Sequence, residues 1–135
     1  MDITVNNLSL NNSQELANEA VKLLCEKLGS EIKLYDVRDT EAITDFYVVA
    51  TGRSLSHVSS LADDLCERIR LRGRDFERVE GKRGNPWILV DYIDVIIHIF
   101  DKHSRDFYNF DRLMPEGSLM DISDLLADVD KKFEQ

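Results

Sequence analysis

Cysteine and proline are scarce in this chain, with two of each in 135 residues. Cys25 and Cys66 are too few for a disulfide scaffold. Both fall on apolar faces of predicted helices, so they read as buried, reduced thiols in a reducing cytoplasm. The prolines sit outside the regular elements, Pro86 closing the polar loop that starts at Glu80 and Pro115 opening a break that ends at Gly117. No apolar run reaches the roughly 18 residues of a membrane span. The start, Met1 to Asn12, has neither a basic region leading into an apolar stretch nor the arginines of a transit peptide. Positive charge is also short: 17 Lys and Arg face 26 Asp and Glu, giving a net charge of −9. So acidic a chain suits a basic protein partner better than phosphates, which require clustered Lys and Arg, and no sequence-specific nucleic-acid contact is expected. Histidine is limited to His57, His98 and His103, none at metal-ligand spacing, and no nucleophile elbow, P-loop or dinucleotide fingerprint occurs. No metal and no cofactor are expected, and the chain does not read as an enzyme.

What remains is one domain with 43% hydrophobic and 32% charged residues, a balance typical of a soluble globular protein. Asn12 with Glu15 three residues on resembles a capping box, and Leu16, Ala20, Leu23, Leu24 and Leu28 follow at helical spacing, with Gly29 placed to end the helix. Ile32 to Val37 alternates as a strand does. Phe46 to Ala50 is continuously apolar, as in a strand buried on both faces. Ser54 or Ser56 caps a second helix carrying Val58, Leu61, Ala62, Leu65 and Ile69, and Gly73 is its C′ residue. Phe76 to Val79 reads as an edge strand. Two strands follow in WILVDYIDVIIHIF at 87–100, and Ser104 caps a short helix to about Phe110. The order predicts an α/β domain, a compact mixed sheet of about five strands flanked by helices.

Within 87–100, Val95, Ile97 and Ile99 form a core face. Asp94, Ile96, His98 and Phe100 form the other face of the strand, a mixed row that reads as a surface for binding. Arg105 and Tyr108 lie one helical turn apart, and Arg105 has Asp101 and Asp111 within pairing distance along the chain. A nucleotide-dependent transferase is the rival reading. Gly52 to Ser54 joins a strand to a helix start that would favour phosphate, and Asp91 with Asp94 is the best-placed carboxylate pair for metal ions.

Three segments together carry a resemblance: ITDFYVVATGRSLSHV at 43–58, WILVDYIDVIIHIF at 87–100 and SRDFYNFDRL at 104–113. In this order and spacing the chain resembles the ribosomal silencing factor (Iojap) family over about residues 13–113. The resemblance implies a compact α/β fold shaped like a nucleotidyltransferase, without catalysis. It implies docking on a basic protein of the intersubunit face of the large ribosomal subunit, where the protein obstructs joining of the small subunit and damps translation when nutrients are limiting. It also implies a homodimer in the free state. The partner-binding residues expected from the residue pattern and the resemblance together are Trp87, Asp91, Tyr92, Asp94, His98, Arg105 and Tyr108. The family turn usually reads Asp-x-Gly-Asp, and here Ile93 stands at the glycine position. The domain is therefore expected over 1–114, followed by an acidic extension, 115–135. That extension is expected to be separable from the core, although Ile122, Leu125, Leu126 and Val129 form a helical stripe able to dock.

Overall fold

Asn12 opens the first helix. In the computed structural model, which describes residues 8–133, its side-chain oxygen accepts the N–H groups of Gln14 at 2.8 Å and Glu15 at 3.3 Å. These donors have no partner within the helix, so the cap is stabilising by about 1 kcal/mol. Helix α1 runs over Ser13–Glu26 and buries Leu16, Ala20, Leu23 and Leu24. Leu28, which spacing placed on the same stripe, lies beyond the helix end. It is exposed with φ at 70°. The Gly29 N–H then bonds the Leu24 carbonyl at 2.7 Å, so close that a Cβ on Gly29 would sit 2.9 Å from that oxygen.

Five strands form one sheet: β1 (Ser30–Asp36), β2 (Phe46–Gly52), β3 (Arg78–Glu80), β4 (Trp87–Asp91) and β5 (Val95–Asp101). Their order is β1-β2-β5-β4-β3, with β2 and β5 parallel and the other pairs antiparallel. The two most continuously apolar strands, β2 and β5, occupy the centre, where both faces are covered. Between β2 and β3 runs α2 (Leu55–Leu71), which starts at Ser54, whose hydroxyl accepts the His57 N–H at 3.1 Å. Helices α1 and α2 pack on one sheet face over Leu34, Phe46, Val48, Ala50, Val90, Val95, Ile97 and Ile99. Each of these side chains larger than alanine contributes roughly 1.5–3 kcal/mol when fully buried. His57 joins the two helices. Its Nδ1 accepts the Arg53 N–H at 2.9 Å, and its Nε2–H donates to the Lys27 carbonyl at 2.8 Å.

The second sheet face holds Tyr35, Val37, Val49 and Phe100, with Tyr47, Trp87, Phe110 and Met114 packed on them. Here the structure departs from the sequence reading. Ile96, His98 and Phe100 are buried, and Phe110 of the chain after β5 folds back over His98 and Phe100. The returning elements are α3 (Lys102–Tyr108) and a 3-10 turn, Phe110–Leu113. The cap of α3 is Asp101 rather than Ser104: the Asp101 carboxylate accepts the Ser104 N–H at 2.8 Å.

The acidic extension joins both the sheet and the core. Ser118 accepts the Asp36 N–H at 2.8 Å, Met120 donates to the Leu34 carbonyl at 2.9 Å, and Leu119 forms a bridge with Tyr35. Helix α4 (Ser123–Phe133) lies on α1. Val129 is buried, and Met120, Ile122, Leu125 and Leu126 pack against the main core. The predicted stripe is thus docked on the domain, and apolar packing outweighs the repulsion expected between an acidic tail and an acidic body.

Candidate partner-binding face

Strand β4 alternates. Ile88 and Val90 point into the core, while Trp87, Leu89 and Asp91 line the second face opposite Phe100, His98 and Ile96 of β5. The Trp87 ring stacks on Phe100 with centroids 4.8 Å apart and meets Tyr108 of α3 at 4.9 Å. Its Nε1–H donates to Nδ1 of His98 at 3.0 Å. The His98 ring in turn lies 4.1 Å from Phe110 and 5.9 Å from Tyr47. The result is a continuous aromatic row from Tyr108 to Tyr47. Burial pushes the His98 imidazole down to about 4, so it is neutral at neutral pH.

One end of this row is open. Trp87 and Leu89 are half-buried, Tyr108 is 53% exposed, and Phe107, edge-on to Tyr108 at 5.1 Å, is 73% exposed. Beside them lies a groove lined by Glu80, Asn85, Pro86, Trp87, Leu89 and Tyr108. An aromatic ring half-sunk beside a groove and rimmed by polar groups is the usual form of an interface anchor.

Of the acidic turn, Asp91 lies on the same sheet face as Trp87 and Leu89. One Asp91 oxygen accepts the Ile93 N–H at 2.7 Å, and the other meets Arg78 Nε at 3.2 Å. Asp94 is held by Arg74 at 2.7 Å, and Arg74 also donates to the carbonyls of Leu10 at 2.7 Å and Tyr92 at 2.9 Å. Ile93 adopts φ of 76°, a left-handed conformation that costs a β-branched residue roughly 1–2 kcal/mol. The hairpin therefore keeps a tight form without its glycine. Each carboxylate proposed as half of a metal pair already has an arginine partner. The phosphate-loop reading weakens likewise, since the Arg53 and His57 N–H groups are taken by His57 Nδ1 and the Ser54 hydroxyl.

Three of the seven expected contact residues are buried and cannot present their side chains to a partner. Tyr92, 1% exposed, points into the main core, because the pleat turns it away from Asp91. Burial, reinforced by the Cys66 thiol nearby, raises its phenol above the usual range. His98 is covered by the aromatic row. Arg105, 4% exposed, grips both oxygens of Asp111 at 2.9 and 3.0 Å and bonds the Glu31 carbonyl at 2.7 Å and the Thr51 hydroxyl at 2.9 Å. Burial opposes charge on Asp111, but the bonds from Arg105 and Tyr35 outweigh it and hold the carboxyl below its usual range. Trp87 and Tyr108 come together at the accessible edge, and Asp91 shares their sheet face, whereas Asp94 is turned to Arg74, just beyond α2. Leu89 and Phe107 belong to this face and were missed. The period of two between Trp87 and Asp91 would have revealed Leu89. Phe107 sits on a seven-residue helix, too short for its outward face to show in the pattern.

The profile described as "Ribosomal silencing factor during starvation" matches residues 10–135. The chain belongs to that family. Among its relatives, Ribosomal silencing factor RsfS of Haemophilus influenzae is 35% identical over 97 residues, covering 69% of this chain and 95% of that protein. The protein of the same name from Zymomonas mobilis is 34% identical over 105 residues, covering 75% and 79%. A crystal structure of a Chromobacterium violaceum protein superposes with a TM-score of 0.73 at 29% identity, covering 76% of this chain and 86% of that one. The silencing-factor family thus accounts for the fold as well as the three sequence segments. Among the described residues, no helix is long and apolar enough to cross a membrane.

Proposed function

We propose that this silencing-factor chain acts in the cytoplasm by binding the large ribosomal subunit through a basic ribosomal protein of its intersubunit face. Bound there, it sterically blocks joining of the small subunit and represses translation under nutrient limitation. The observation that carries the reading is the open end of the aromatic row: Trp87, Leu89 and Tyr108 around one groove, with Phe107 exposed next to Tyr108 and the Asp91 carboxylate on the same sheet face. The rings supply buried apolar area, and the net charge of −9 steers the chain toward a cationic surface. A mouse relative, 25% identical over 112 residues, is named Mitochondrial assembly of ribosomal large subunit protein 1, which supports the choice of subunit. The mechanism requires occupancy alone, so no catalytic group or cofactor takes part. The free protein is a homodimer in this reading, which sedimentation equilibrium tests.

The deciding experiment is co-sedimentation of purified protein with separated ribosomal subunits, followed by a subunit-joining assay. Binding to large subunits alone, with joining inhibited in proportion to occupancy, is the expected result. Equal binding to both subunits, or to neither, rejects it.

A further inference from the structure

Trp87 is the only tryptophan in the chain, and the one polar atom of its ring is committed to His98 at 3.0 Å. An indole has a single donor and no acceptor, so this hydrogen bond is its one directional restraint. Stacking on Phe100 and the tilted contact with Tyr108 set the plane of the ring but resist sliding within that plane only weakly. His98 is itself enclosed, only 4% exposed. It lies on a central strand, in register with Val49 of β2 and Leu89 of β4, and its ring is clamped by Phe110. Because Nδ1 accepts from the indole, the imidazole proton sits on Nε2.

We propose that His98 is a positioning residue: through Nδ1 it fixes the indole of Trp87 in the orientation that meets the ribosomal partner, without touching that partner itself. This inference rests on the binding face proposed above and adds the group that orders its anchor. A ring already ordered in the free protein loses less freedom on binding than a mobile one. The arrangement also explains a neutral histidine inside an otherwise aromatic and aliphatic row, where a leucine would fill the space but accept no hydrogen bond.

Two substitutions separate an acceptor from mere volume. His98→Asn places an amide oxygen near the position of Nδ1, and His98→Leu removes the acceptor. The free full chain is examined through its indole N–H resonance and the exchange rate of that proton, and binding is then measured with purified large subunits. His98→Leu is expected to accelerate indole exchange and weaken binding about tenfold or more, with His98→Asn within about threefold of the unsubstituted protein in both. A folded His98→Leu protein with unchanged indole exchange and unchanged affinity overturns the proposal. Equal losses in both variants with an unaltered indole signal also overturn it, because His98 would then act only through stability. If His98→Leu does not fold, the unsubstituted protein still decides: indole exchange as fast as that of free indole rejects the restraint. If the unsubstituted protein binds no large subunits, the binding reading fails on its own, while indole exchange in the free chain still reports on His98.

Discussion

Arg105 and Asp111 form a two-pronged ion pair beneath the aromatic row, closing α3 and the following 3-10 turn onto the sheet. The same guanidinium reaches the Glu31 carbonyl on β1 and the Thr51 hydroxyl on β2. One side chain thus ties the covering layer to two strands. Replacing Arg105 by Met leaves Asp111 with Tyr35 as its remaining strong partner. The expected loss is about 3 kcal/mol of folding stability, since breaking a buried pair strands the other charge. Urea unfolding measures it, and a loss under about 1 kcal/mol would show that apolar packing alone holds α3 in place.

Trp87→Ala should weaken large-subunit binding by about 2 kcal/mol. Its stability cost should fall below the roughly 3–5 kcal/mol of a fully buried aromatic, because the ring is only half-buried. Thermal unfolding run beside the binding assay distinguishes the two effects. A folded variant that binds as well as the parent removes Trp87 from the interface.

Ile93→Gly should stabilise the protein by roughly 0.5–1 kcal/mol. Glycine relieves the cost of a left-handed φ, and its greater freedom in the unfolded chain takes back part of the gain. Ile93 is exposed, so little packing is lost. If stability falls instead, Ile93 makes a contribution in the folded state that exceeds its backbone strain.

Acid should destabilise the protein partly through His98. In the folded chain this imidazole titrates near 4, against about 6.5 when unfolded, so the unfolded state binds the extra proton between those values. The corresponding stability is fully present above pH 6.5, declines as pH drops, and is lost below pH 4, amounting to about 3 kcal/mol. His98→Asn should flatten the slope of stability against pH in that window alone. Equal slopes in the two proteins would place the acid sensitivity elsewhere.

Truncation after Met114 should destabilise the domain. It removes Val129 from the surface of α1 and frees the Asp36 N–H and Leu34 carbonyl that Ser118 and Met120 now satisfy. The shortened chain is expected to unfold at lower temperature or to aggregate, as differential scanning calorimetry would record. Unchanged unfolding would restore the view of residues 115–135 as a separable extension.

Local chemistry made most of the fold legible. Asn12 and Ser54 act as caps because their side chains bond only nearby backbone, and the apolar runs of β2 and β5 announce strands covered on both sides. What covers a strand is a long-range fact. Alternation correctly placed His98 and Phe100 opposite the core face, but nothing local revealed that Phe110 and Met114 return to cover them. The same limit applies to the site. Of the expected contact residues Trp87 and Tyr108 are accessible, whereas Tyr92 and Arg105 are buried by pleat direction and by the position of Asp111, neither of which the local sequence reveals. Leu28 missed the core because α1 ends one residue before Lys27, a matter of cap geometry rather than of periodicity.

The bridge from Leu119 to Tyr35 has a consequence for how the molecule behaves in a crowded cell. A sheet with a free border is a template on which other chains can polymerise. Strand β1 would offer such a border, but Ser118 and Met120 occupy its hydrogen-bonding groups at Asp36 and Leu34. The opposite border, β3, is three residues long and flanks its single valine with Arg78 and Glu80. Both borders are thus blunted against strand addition, so the apolar and aromatic surface proposed for partner recognition can stay open without seeding fibrils.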